Sequence, residues 1–277
     1  MKLNIILIAL CIGTLGFAQK KEKIKGNKFI KVKQHQIAEF SELNLNDKFE
    51  VFLLKGTVPQ VELETDENLH DVIQFSVSDS GVLSFNNTHH ITSKKKLNIR
   101  ITVTDKFKSI LTSEKAEVNS LIDLDLKKMT IVAKDNSKIF LTLKTDEFNL
   151  TADKHSKVEL NLNTKKGVLT LSESTDIKAL INADELKADL YQKANAKIEG
   201  EVELLELRVD NASNYHGEKL TANTATVIAE GSSDCDLDVK TNLILEASGS
   251  AKVNIYNTAK IELKRFEDSA AIYKKQF

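Results

Sequence analysis

Tryptophan is absent from the 277 residues, proline occurs once at Pro59, and cysteine and methionine occur twice each. Aromatic residues make up 6% of the chain. Sugar-binding clefts often stack aromatic rings on the ligand, so this scarcity counts against a deep glycan groove. Charge of one sign is missing too: 39 Lys and Arg stand against 40 Asp and Glu, with the signs interspersed. A nucleic-acid surface needs a clustered basic face, and the one dense basic run, Lys94-Lys95-Lys96, reads as a solvated loop. No Gly-x-Ser-x-Gly elbow, phosphate-binding glycine loop or His-Glu-x-x-His helix occurs. No catalytic or cofactor-binding residue is assigned, and the expected protein is not an enzyme.

The start of the chain carries a different kind of information. Met1-Lys2-Leu3-Asn4 precedes an apolar run from Ile5 to Phe17, followed by Ala18-Gln19-Lys20-Lys21. The run falls short of the roughly 20 apolar residues that cross a bilayer as a helix. One early positive charge, a short apolar core and small residues at Gly16 and Ala18 predict a signal peptide over residues 1–18. Acylation of Cys11 is disfavoured by Leu10, which is bulky where lipoprotein signals need a small residue. The mature chain then keeps Cys235 alone, so no internal disulfide is expected. Cys235 occupies an apolar repeat position and reads as a small buried residue. The expected destination is the periplasm, the outer-membrane surface or the extracellular space, with no transmembrane span in the mature chain.

Residues 19–39 are polar and lysine-rich and read as a flexible lead. From Phe40 the pattern changes to alternating strands: residues 49–54, 61–64, 73–77, 82–85 and 97–104. Asp79-Ser80-Gly81 is a hairpin signal, and residues 67–72 suit one helical turn. Residues 40–110 therefore form a β-rich N-terminal part.

From residue 111 to 277 a motif recurs: a strand, a small polar corner, then a second strand. Aligned on the apolar residue after the corner, the copies fall at Ile139, Val158, Ile177, Ile198, Tyr215, Cys235, Val253 and Ile272, with a mean spacing of 19 residues. Such a period means a solenoid, in which no coil buries its apolar face without neighbours. Val158, Leu160 and Leu162 point one way while Lys157, Glu159 and Asn161 point the other. Frequent Val, Ile, Thr and Asn and a period of two favour strands over helices, even for residues 182–190, which alone suit a helix. Corners such as Asp135-Asn136-Ser137 and Ser248-Gly249-Ser250 use residues that bend tightly. The fold class is all-β: a strand-rich N-terminal region followed by a right-handed parallel β-helix-like solenoid of eight or nine coils, a rod on the order of 40 Å long.

The segments Phe49-Glu50-Val51-Phe52-Leu53-Leu54-Lys55-Gly56, residues 61–69 and Asp79-Ser80-Gly81-Val82-Leu83, with the repeated coils, resemble the putative auto-transporter adhesin, head GIN domain family. The resemblance runs from about Phe40 to Tyr273. It implies a secreted or envelope protein of Gram-negative bacteria with a repetitive, β-helix-like C-terminal part. Members commonly place Ser-Gly at each corner, whereas here Ser248-Gly249 is the clearest instance and Asn136-Ser137 or His155-Ser156 stand elsewhere. Asn and Ser can replace those glycines where the requirement is a tight bend.

Chemistry-bearing residues are few. Asp234, Asp236 and Asp238 alternate on one strand face and are the candidate for a hard cation, although the recurring Gly-Gly-x-Gly-x-Asp turns of calcium-binding solenoids are missing. A solvated acidic stripe is the favoured reading, and no metal site is assigned. His89-His90 would point to opposite faces of a strand, and His35, His70, His155 and His216 are dispersed. Lys157, Glu159, Lys178 and Lys197 line up on one outer face. Three functions follow: an exported adhesin-like binding or structural module contacting an envelope protein or surface glycan; a carbohydrate-active enzyme using surface carboxylates; and self-association through an uncapped solenoid end.

Overall fold

The computed structural model describes residues 21–276; the expected signal peptide lies outside them. Nine strands precede the regular coils: β1 (Lys23–Lys25), β2 (Ile30–Gln36), β3 (Glu42–Leu45), β4 (Glu50–Lys55), β5 (Gln60–Asp66), β6 (Ile73–Val77), β7 (Val82–Asn87), β8 (His90–Ser93) and β9 (Leu97–Val103). One 3-10 turn, Glu67–Leu69, sits where a helical turn was expected. The hairpin also forms, with β6 antiparallel to β7 and the Ser78 N–H donating to Val82 O at 3.0 Å. Then come β10 (Ser109–Thr112), β11 (Glu117–Ser120), β12 (Leu124–Asp125) and β13 (Lys128–Ala133).

Six long strands follow: β14 (Lys138–Ala152), β15 (Lys157–Leu171), β16 (Asp176–Leu190), β17 (Asn195–Val209), β18 (Asn214–Ala229) and β19 (Asp234–Ala247). The chain closes with β20 (Lys252–Ile255), β21 (Lys260–Phe266) and β22 (Ala271–Lys274).

Each long strand serves two sides of the solenoid, and the sequence shows where it bends. In β14, Ile139, Leu141, Leu143 and Thr145 are buried, then Asp146 and Glu147 are both exposed, then Phe148, Leu150 and Ala152 are buried. Two outward residues in succession shift the alternation by one, which a strand of period two does only by turning. Residues 138–145 form one arm of the coil (arm a) and 147–152 the other (arm b). Consecutive long strands pair in parallel, rung on rung. The fold is the expected β-solenoid, with about nine turns and a period of about 19 residues.

The register corrects one copy. The stacked residues are Ile139, Val158, Ile177, Ala196, Tyr215, Cys235, Val253 and Ile272. Ala196, rather than Ile198, occupies the fourth position, because both face inward and the larger one is the more conspicuous apolar residue. With that change the first four intervals are all 19, and the irregularity is confined to 20 and then 18 on either side of Cys235.

Five successive corners are β-turns closed by the same bond: the N–H of Ser137, Ser156, Thr175, Ala194 and Ser213 donates to the carbonyl three residues back. Their side chains are fully buried and small, which lets successive corners stack. Left-handed backbone occurs at Asp135, Lys154, Glu173, Gln192 and Asn211, where φ runs from 52° to 60°. Non-glycine residues therefore make these bends. They accept roughly 1–2 kcal/mol of steric cost per residue, which closing the next rung offsets.

Two differences concern the N-terminal part. Residues 19–39, read as a flexible lead, contain β1 and β2; β2 pairs antiparallel with β5 along seven residues, and β1 pairs with β8. Its lysines concealed this, because β2 is an edge strand with mostly exposed side chains, the usual defence of an open edge. The parallel stack also extends below residue 111: β3 pairs with β10 and β4 with β11. The excursion through β5–β8 separates this rung from its neighbours in sequence and hides its period. A single apolar core runs from Phe40 to Ile255.

Candidate functional site

Parallel, in-register stacking turns outward residues into columns. On arm a one column reads Phe140, Glu159, Lys178, Lys197, His216, Asp236 and Asn254. Glu159, Lys178 and Lys197 thus come together as expected; Lys157 belongs to the neighbouring column, between Lys138 and Asp176. A shallow trough of about 580 Å³ lies over this face, lined by Phe140, Glu159, Lys178, Leu180, Lys197 and Glu199 among others. Leu180 is 44% exposed at its floor. A second depression, of about 440 Å³, continues toward the bend past Asn163, Asn182, Glu201 and Lys240. There Asn182 Nδ2 donates to Asn163 Oδ1 at 3.1 Å and Asn182 Oδ1 accepts from the Glu201 N–H at 3.2 Å, a small amide ladder. The trough offers apolar surface flanked by both charges on a rigid backbone.

The aspartates are arranged differently from a three-carboxylate cation site. Asn254 Nδ2 donates to Asp234 Oδ1 at 3.1 Å and to Asp236 Oδ1 at 3.0 Å. Asp238 turns to Thr221, whose hydroxyl donates to Oδ2 at 2.7 Å. Asp236 Oδ2 instead meets His216 Nδ1 at 2.9 Å. His216, Glu218 and Asp236 place one ligand-capable atom each within 4.8 Å of one another.

His216, dispersed in sequence from the other histidines, stands one 20-residue coil from Asp236, and that spacing is the sequence signal that joins them. Cys235 between the aspartates is fully buried, and burial first, with Asp234 and Asp236 behind it, pushes its thiol well up. His89 sits beside Thr88, Nδ1 to Oγ1 at 2.9 Å, and 3.7 Å from Glu22. His70 is buried, with burial lowering its pKa and Nε2 3.0 Å from Lys31 O.

The family model described as "Putative auto-transporter adhesin, head GIN domain" matches residues 39–180 and 155–259. The chain belongs to this family. Solved relatives share its fold at low identity. A protein of Parabacteroides merdae described as a putative adhesin is 17% identical, with a TM-score of 0.67 over 92% of this chain and 100% of that one. One from Parabacteroides distasonis, also described as a putative adhesin, is 15% identical with a TM-score of 0.66 over 91% of this chain and 100% of that one. A second Parabacteroides distasonis protein, described as a putative lipid binding protein, is 14% identical with a TM-score of 0.59, over 92% and 98%. No curated protein matches the chain. Among the described residues no helix is long and apolar enough to cross a membrane.

Proposed function

We propose that this head GIN family member is an exported, non-enzymatic envelope module that binds a surface macromolecule, protein or glycan, along the outer face of arm a. The observation that carries the reading is the trough through Phe140, Leu180, Lys178 and Lys197: wide, shallow and built on strands. A flat face of that kind gains affinity from many modest contacts spread over several rungs. Its polar rows vary from rung to rung while the inward rows repeat, so selectivity resides in the outward columns.

The test is pull-down and glycan-array binding with residues 19–277, compared with the variant Lys178→Glu/Leu180→Asp/Lys197→Glu. Binding by the wild type should fall at least tenfold in the variant. Equal binding by both would sink the reading, and retention of the full-length chain in the cytoplasm on cell fractionation would sink export. The rival, a carbohydrate-active enzyme, requires Glu159→Gln to abolish release of reducing sugar from an envelope polysaccharide.

Self-association has its own supporting observation. The last rung exposes Ile261 by 41%, Leu263 by 49% and Phe266 by 47%, residues that continue the inward rows. Light scattering from micromolar to millimolar concentration should show mass growth that Leu263→Lys/Phe266→Glu removes; a constant monomer mass would exclude it.

A further inference from the structure

We propose that His216, Glu218 and Asp236 form a binding site for one divalent transition-metal cation, on the strand where the 19-residue period breaks. The break has a local cause. Tyr215 faces inward and fully buried, and its ring occupies the space a side chain at Gly217 would need: a Cβ there would lie 2.3 Å from Tyr215 Cε1. The register beside β17 slips at this point, with Gly217 and Glu218 together opposing Ile198. A bulge leaves two consecutive residues, Glu218 and Lys219, outside before Leu220 returns to the core. Glu218 is thereby set beside His216, which pairs with Asp236 on the next rung, 20 residues on.

Charge around the cluster is unbalanced. Several carboxylates in other coils meet lysines across a rung, as Glu117 meets Lys138, Asp135 meets Lys154 and Asp146 meets Lys165. Among the described residues, no lysine or arginine ion pair reaches Asp234, Asp236, Asp238 or Glu218; His216 is the sole cationic partner, on Asp236. One of the ligand oxygens, Glu218 Oε2, is shut off from solvent and accepts no hydrogen bond. A buried anionic oxygen without a partner is costly, and a cation removes that cost.

The donor set selects the class of ion. One imidazole nitrogen with two carboxylate oxygens suits zinc or manganese better than the all-oxygen shell of calcium. Bonds of about 2.0–2.2 Å place tetrahedral ligand atoms about 3.3–3.6 Å apart, so rotamer adjustment closes the present spacing. Asn254, bonded to Asp236 Oδ1 and Asp234 Oδ1, fixes the carboxylate from behind, the usual role of an outer hydrogen bond at a metal ligand.

Isothermal titration of the tag-free chain, residues 19–277, with Zn²⁺ should give one site per chain. His216→Ala and Glu218→Gln should each weaken it at least tenfold, and Asp135→Asn, at a distant corner, should not. No Zn²⁺ binding by the wild type, or unchanged binding by His216→Ala, overturns the site. Calcium bound as tightly by His216→Ala as zinc is by the wild type would overturn it in favour of an oxygen-only patch. Mn²⁺ line broadening on the wild type needs no variant: it should centre on the amides of residues 216–218 and 236, and broadening centred elsewhere refutes the assignment.

Discussion

Asp66 closes the N-terminal end, and its replacement by asparagine tests whether that end is held by one carboxylate. The residue ends β5 and is fully buried. Its Oδ1 accepts from the Lys28 N–H at 2.5 Å, and Oδ2 accepts from the N–H groups of Lys95 at 2.8 Å and Lys96 at 3.3 Å. These bonds tie the β1–β2 and β8–β9 connections to the stack. Asp66→Asn keeps the shape but turns one oxygen into a donor, so at least one of these backbone donors faces another donor.

A hydrogen bond to a charged group contributes about 1.5–3 kcal/mol, and an unpaired buried donor costs about 1–3 kcal/mol. The expected loss is about 2–4 kcal/mol in the local stability of this end, since three ties are affected and such contributions do not add fully. Desolvation raises the carboxyl pKa, but the backbone donors of Lys95, Lys28 and Lys96, with its own N–H, outweigh it and hold it below its ordinary value of 3.8. A depressed folded pKa means that the unfolded state takes up its proton first as pH falls. The stabilisation is complete above the unfolded value of about 4 and is lost as pH drops through the lower folded value.

Hydrogen exchange of residues 21–37 and 88–97 between pH 7 and pH 2.5, with rates corrected for intrinsic exchange, reads this directly. The wild type should lose protection below about pH 4 and the variant should be weak throughout. Equal protection of both proteins at pH 7, or identical acid profiles, would refute the argument.

Tyr215→Phe removes a hydroxyl that is buried without a hydrogen-bond partner, and should raise stability by about 1 kcal/mol in urea unfolding; a loss of that size would show that the hydroxyl is bonded. Gly200→Ala should destabilise by at least about 3 kcal/mol, because φ is +121° and a Cβ would lie 2.1 Å from Ile181 O; soluble protein with an unchanged melting curve would contradict the backbone geometry. Cys235, buried with its thiol pKa pushed up, should not react with a thiol reagent in the native state and should react once the chain is unfolded; native-state labelling within minutes would show that this rung opens readily.

The inward rows were legible in the sequence because burial imposes them: a strand of period two must place Leu160 and Leu162 alike. The corners were legible for the same reason, since only small or locally bonding residues stack there. What escaped was set by neighbours distant along the chain. Ala196 was passed over for Ile198 because register is fixed by the adjacent rung rather than by size. The rung formed by β3 and β4 was invisible because its partners, β10 and β11, lie beyond the intervening residues 56–108. The lysines of β2 mark a protected edge and look locally like a solvated lead. Of the candidate site, the Glu159, Lys178 and Lys197 column was readable from the period alone. The approach of His216 to Asp236 follows from the same period, whereas the position of Glu218 beside them depends on the bulge after Gly217.

A rod whose rungs share one register has a natural unit of change. Removing residues 157–175, one whole coil, would shorten the stack by about 4.8 Å and set Phe140 directly beside Lys178, with every inward row still continuous. Removing a single residue from an arm would turn its apolar row outward. Heredity can therefore edit this molecule cheaply in steps of 19 residues, lengthening it or recombining its outward columns, while single-residue insertions survive only at bulges such as the one after Gly217.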